Sequence, residues 1–214
     1  MAWFQLDPQS LAERVRAAGS PVPSLAQSVI RGALGFTVVS VAGFVPWAVF
    51  GRTLNRLVGE AGMYAVCALV FLGLTGPLLH RLIMGPGSLG RFNRLFGLAF
   101  AGYSVAWIAG WMALAKIHGH LASVVGLLAG TALMGTMLCA AFDAREARLR
   151  VVLALFGLNA LGYFAGGEVT ALLLRHHRPT AMLAWGVGYG LGLGAGLGVA
   201  FHLCQARARA LLGR

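Results

Sequence analysis

Carboxylates are almost missing from this chain. Its 214 residues hold 6 Asp and Glu against 17 Lys and Arg, and Lys116 is the single lysine. No two acids share an apolar stretch, which excludes the paired intramembrane carboxylates of proton relays and leaves no charged path for an ion. Cysteine is equally sparse. Cys67, Cys139 and Cys204 form no Cys-x-x-Cys pair, so neither a zinc ribbon nor a dithiol motif is present, and they read as small buried apolar residues. Gly-x-Ser-x-Gly and His-Glu-x-x-His are also missing, so an enzyme is disfavoured. Gly85-Pro-Gly87-Ser-Leu-Gly90 matches G-x-G-x-x-G by letter, but no strand precedes it and no βαβ unit surrounds it. It reads as a tight turn, and no cofactor is expected.

Long apolar runs take the place of all these. Hydrophobic residues make up 58% of the chain and charged ones 11%, with mean hydropathy +0.78. A helix of about 20 apolar residues crosses the roughly 30 Å hydrocarbon core of a bilayer. Six such segments are predicted, at 28–50, 60–83, 93–116, 120–142, 150–174 and 180–203. Barrel strands would be about half as long and alternate in polarity, which these runs do not. The expected fold is an all-α polytopic membrane protein: a tail over 1–27, a transmembrane domain over 28–205 and a basic tail over 206–214.

The net charge of +11 is scattered between apolar blocks, not gathered into a basic stripe, so nucleic acid is not an expected partner. The charges set orientation instead. The N-terminal region, the loops after segments two and four, and the C-terminal tail hold 12 Arg, while the other three loops hold 5 of the 17 Lys and Arg. The positive-inside rule then puts both termini in the cytoplasm, and an even number of crossings requires them to share a side. No cleavable signal peptide is expected, since residues 1–27 lack an apolar core of sufficient length. Ser10-Leu-Ala-Glu13 reads instead as a capping box opening a short interfacial helix, with Leu11, Val15 and Ala18 toward lipid. The arginine-rich, lysine-poor usage points to a bacterial inner membrane.

One phrase occurs twice. Leu95-Phe-Gly-Leu98 is followed by Gly102-Tyr103, and Leu155-Phe-Gly-Leu158 by Gly162-Tyr163 at the same spacing; Gly43-Phe44 is a fainter earlier copy. Self-similarity at a fixed period marks repeated units, here three helical hairpins. Aligned on the glycine, Ser40, Ala99 and Asn159 fall four residues before Phe44, Tyr103 and Tyr163, on the same helix face. The arrangement is similar to that of the proton-gated urea and short-chain amide channels, where three two-helix hairpins surround a pore. The likeness is one of architecture, without shared motifs.

The candidate site follows from the repeat. Ser40, Tyr103, Asn159 and Tyr163 become pore or substrate-binding groups near the midplane, with Asn159 also placed for an interhelical hydrogen bond. Glu168, after Gly166-Gly167 and roughly 27 Å up its helix from Arg150, is the clearest intramembrane acid and a gating candidate. His118, His120, His176 and His177 lie in two loops of one side, where metal binding or pH sensing is the functional alternative to solvated loop histidines. The sixth segment has glycine at every second position from Gly186 to Gly198. On a helix these form two i,i+4 rows, Gly186, Gly190, Gly194, Gly198 and Gly188, Gly192, Gly196, the small-xxx-small pattern of close packing. The expected function is a channel or transporter for a small neutral or weakly polar solute in the lipid bilayer. The alternatives are a non-catalytic subunit or scaffold docking a homo-oligomer or membrane protein partner through the glycine rows, and an intramembrane enzyme acting on lipid or quinone.

Overall fold

The computed structural model describes residues 4–213, which form helices and turns with no strand among them. The helices are α1 (Pro8–Ala18), α2 (Leu25–Leu79), α3 (Ser88–Leu114), α4 (Gly119–Ala141), α5 (Arg148–Leu173), α6 (Arg178–Cys204) and α7 (Ala206–Leu211), with 3-10 turns at His80–Leu82 and Arg145–Ala147. Five stretches are long and apolar enough to cross a membrane: Leu25–Leu82, Ser88–Leu114, Gly119–Ala141, Arg145–Leu173 and Arg178–Cys204. The chain is a multi-pass membrane protein by this measure.

The count differs from the six expected segments because the first two join in α2. That helix does not run straight. Gly59 breaks it with φ 72° and ψ 176°, a backbone region open essentially to glycine alone. The chain then turns back on itself: Gly43 faces the Phe71 ring, Gly35 the Leu79 side chain and Gly51 the Met63 sulfur. The limbs 25–58 and 60–79 therefore run antiparallel and join at Gly59, with the polar Arg52, Asn55, Arg56 and Glu60 lying in the helical turns beside it.

Each later helix pairs with its neighbour through small residues. Gly110 and Gly126 bring α3 against α4, and Gly135 seats α4 on Val151, Val152 and Leu155 of α5. The two glycine rows of α6 part company. Gly190, Gly194 and Gly198 lie on Thr37, Gly32 and Ser28 of α2, with Gly186 against Phe44. Gly188, Gly192 and Gly196 lie on Gly166, Gly162 and Leu155 of α5. With no Cβ on either row, backbone meets backbone and dispersion contacts replace side-chain interdigitation. The sixth segment is thus the inner helix, held from both sides.

One end of the bundle carries a small platform. The α1 helix starts at Pro8 with Asp7 as its cap, whose carboxylate accepts from the Ser10 N–H at 3.0 Å. The Ser10-to-Glu13 pattern is therefore interior to the helix. The capping box of the chain is Ser24 with Gln27 at the head of α2, where each side chain accepts from the other's backbone N–H. Leu11 and Val15 are buried in the protein, 1% and 4% exposed, so the apolar face expected to lie in lipid is spent on packing. Ala18 alone of that trio is exposed. Residues 206–211, expected as a tail, form α7 and fold back on α1, with Ala208 buried and Arg16 donating to the Leu211 carbonyl. Buried Gln205 ties the platform to the bundle: its Oε1 accepts from Met84 N–H and its Nε2 donates to the Leu82 and Phe201 carbonyls, each at 2.8 Å. Arg207 adds an ion pair to Glu146 at 2.7 Å.

Candidate functional site: an aromatic cavity within the bundle

The inner face of α3 carries Phe92, Phe96, Phe100 and Tyr103 one turn apart, and helical spacing stacks their rings at 5.4, 5.4 and 5.7 Å. The stack leads from the platform end into a cavity of about 640 Å³. That volume falls within the roughly 300–1,000 Å³ of small-molecule sites. Its lining comes from both limbs of α2, from α3, and from single turns of α5 and α6. Phe71 and Phe100, 4.8 Å apart, form the floor. Ser40, Phe44, Trp47, Tyr163, Trp185 and Tyr189 form the back. Trp185 is wedged between rings, edge-on to Phe44 and Tyr163 and stacked on Tyr189 at 5.6 Å.

The cavity has a side. Limb 60–79 and α3 touch near the platform, where Gly76 meets the Asn93 amide, and again at the floor. Beyond the floor, Tyr64, Ala68 and Leu72 on one helix and Ala101 and Ile108 on the other line the cavity while remaining exposed. The gap between these two helices opens to the outside of the bundle.

The recurring glycine–aromatic pairs of the sequence lie around this space. Each repeat glycine faces the helix that follows it: Gly43 the second limb, Gly102 Leu133 and Met137 of α4, and Gly162 Gly188 and Gly192 of α6. The aromatic residue after each glycine, Phe44, Tyr103 and Tyr163, lines the cavity. Their partners one turn earlier differ. Ser40 borders the cavity with its Oγ buried and unpartnered. Ala99 is buried, and Asn159 sits behind Tyr103, outside the lining. Its Nδ2 donates to the Tyr103 hydroxyl at 3.0 Å, linking α5 to α3, while its Oδ1 is buried without a partner. Tyr103, Tyr163 and Tyr189 all border this one cavity. A knot of hydroxyl and amide oxygens is thereby set into an aromatic wall.

The remaining candidates lie elsewhere. Glu168 is exposed beyond the cavity on α5 and takes part in neither ion pair of the described residues. His118, His120, His176 and His177 are all exposed, and no group of three or more His, Cys, Asp or Glu among the described residues is placed to hold a metal. His177 has a local use: its Nδ1 accepts from the Thr180 N–H at the start of α6. The tryptophans are what sequence reasoning passed over. Trp47, Trp107 and Trp185 line the cavity, yet they lie outside the repeat and carry no motif. Cys139 and Cys204, sixty-five residues apart, meet with their sulfurs at 3.8 Å near the platform.

Comparison with protein-family models, with curated proteins and with solved structures finds no match for this chain.

Proposed function

We propose that this chain binds and moves a small neutral or weakly polar solute, with the aromatic cavity as its binding site. The observation that carries the reading is the convergence of Phe44, Tyr103 and Tyr163, equivalent in the repeat, on one cavity in the membrane-crossing zone. No Asp, Glu, Lys, Arg or His lines it, which disfavours ions, because a desolvated charge needs a counter-charge. The same absence leaves an enzyme only tyrosine hydroxyls and the Cys67 thiol as titratable groups in the cavity. A scaffold would need its glycine grooves on an outer surface, and both rows of α6 are occupied by α2 and α5.

In this proposal the two limbs of α2 each cross the bilayer, giving six crossings, with the arginine-rich platform on the cytoplasmic side of a bacterial inner membrane. The test is uptake of small amides, alcohols and weak acids into proteoliposomes. Gly97 borders the cavity, and a Cβ built on it meets nothing within 4 Å, so Gly97→Phe fills the space without disturbing the helix. Wild type is expected to exceed empty liposomes, and Gly97→Phe to fall back to them. Flux that never exceeds empty liposomes ends the transport reading.

A further inference from the structure

The shape and chemistry of the cavity narrow its ligand further. Resting on the reading of that cavity as the functional site, we propose that it receives a planar, uncharged, oxygen-bearing ring on an apolar tail, the chemistry of a lipid-soluble quinone or phenol, admitted sideways from the bilayer between limb 60–79 and α3.

Planarity follows from the walls. Ten of the 19 lining residues are aromatic. Flat rings offer the largest contact to a flat ligand by offset stacking or edge-to-face packing. A saturated chain of the same volume gains dispersion alone. Oxygen follows from the polar atoms. Ser40 Oγ is buried with no partner, and the Tyr163 hydroxyl makes no hydrogen bond among the described residues. Buried polar groups in folded proteins are nearly always paired, and an unpaired one in an apolar wall calls for a partner. Tyr103 accepts from Asn159 and keeps its O–H to donate, while Ser40 and Tyr163 have their full capacity unused. A ring carbonyl or phenolic oxygen accepts from either hydroxyl. Charge is excluded by the lining, as above.

The sideways path follows from the seam. Tyr64 and Leu72 on one lip and Ile108 on the other are 52%, 48% and 48% exposed while bordering the cavity. A tail attached to the ring leaves between these lips and continues into lipid. The cavity need therefore hold only the head of the molecule.

Equilibrium binding to the 214-residue chain in nanodiscs tests this. Menadione, a short-tailed ubiquinone and decylubiquinone are titrated, and quenching of tryptophan fluorescence is read, since Trp47, Trp107 and Trp185 border the cavity. Saturable quenching is expected for all three. Dodecanol, a single oxygen on a saturated chain, is expected to compete at least ten-fold more weakly than the short-tailed ubiquinone. Tyr163→Phe is expected to weaken the quinone about three- to ten-fold, the loss of one neutral hydrogen bond, and Gly97→Phe to abolish saturation with unfolding temperature unchanged. Lengthening the tail is expected to leave affinity level or raise it; a steep fall overturns the sideways path. Dodecanol equalling the quinones, with Gly97→Phe still blocking it, overturns the ring chemistry while the cavity remains a binding site. Quinone binding that Gly97→Phe does not touch places the ligand elsewhere and overturns the proposal together with the cavity reading. Flux measurements are independent of all these arms.

Discussion

Tyr103 and Asn159 show how unequal the two ends of one hydrogen bond are. Interhelical hydrogen bonds in membranes contribute about 0.6 kcal/mol on average, so Asn159→Leu, which removes the buried amide altogether, should cost little. Tyr103→Phe should cost more, about 1–3 kcal/mol, because it strands an amide whose Oδ1 is already unpartnered. The double variant should then be more stable than Tyr103→Phe alone, a reversal that thermal unfolding of the three proteins in detergent will show or deny. Asp7 offers a pH-dependent counterpart outside the membrane. The Ser10 backbone N–H holds its carboxyl below the ordinary value of 3.8. The ionised form is the one the fold favours, so its contribution is complete above that value and fades as pH falls through the lowered one. Docking of α1, followed by proteolysis near Gly19, should loosen below about pH 3.8 in the wild type. Asp7→Asn, which still accepts from the N–H, should show no such step. At this scale the sequence announced the oxygens, because serine, asparagine and tyrosine are conspicuous in apolar runs. It was silent on which of them meet. Whether Asn159 faces a cavity or a tyrosine depends on the rotation of α5 against α3, and no spacing within α5 encodes that.

Helices were legible where composition alone decides them, and so were the places where they part; the form of each joint was not. Apolar length located the runs of α3, α4, α5 and α6 within a few residues. The α1 start was misplaced because Pro8 favours the first helical turn and Asp7 caps it ahead of Ser10. The apolar runs leave a polar stretch, Arg52 to Glu60, between the first two segments, and the structure keeps that stretch helical and confines the reversal to Gly59. That makes Gly59 the hinge of the first hairpin in a backbone state that a Cβ disfavours. Gly59→Ala should destabilise by about 1–3 kcal/mol, whereas Gly73→Ala, with nothing within 4 Å of its Cβ, should not. Comparing their unfolding temperatures decides whether the strain sits at the turn. The aromatic lining was invisible at this scale for a different reason. Tryptophan and phenylalanine are equally at home against lipid and against each other, and only tertiary contact separates the two uses.

For the molecule as a whole, arginine placement sets an expected orientation that fusions can test. If both limbs of α2 cross, reporters fused at Gly59 and Gly119 should read as external and one at the C-terminus as cytoplasmic; a cytoplasmic reading at either internal site removes the six-crossing topology. The platform makes its own demand. Gln205 satisfies Met84 N–H and the Leu82 carbonyl, groups that would otherwise be buried without partners. Gln205→Leu should therefore cost several times what a surface change costs, read as a lower unfolding temperature, even though leucine suits the apolar surroundings.

The glycine rows of α6 bear on how this gene can vary. Every missense change at a glycine codon adds at least one carbon, and at Gly192, Gly194 and Gly198 that carbon would overlap the backbone of Leu158, Gly32 or Ser28. No conservative replacement exists at these positions, since alanine is already too large. At Gly97, Gly157 and Gly167 the same carbon meets nothing within 4 Å. A library of random substitutions selected for stable expression should thus come back with a barcode: α6 blank at its inward glycines, while glycines of identical hydropathy on α3 and α5 are freely replaced.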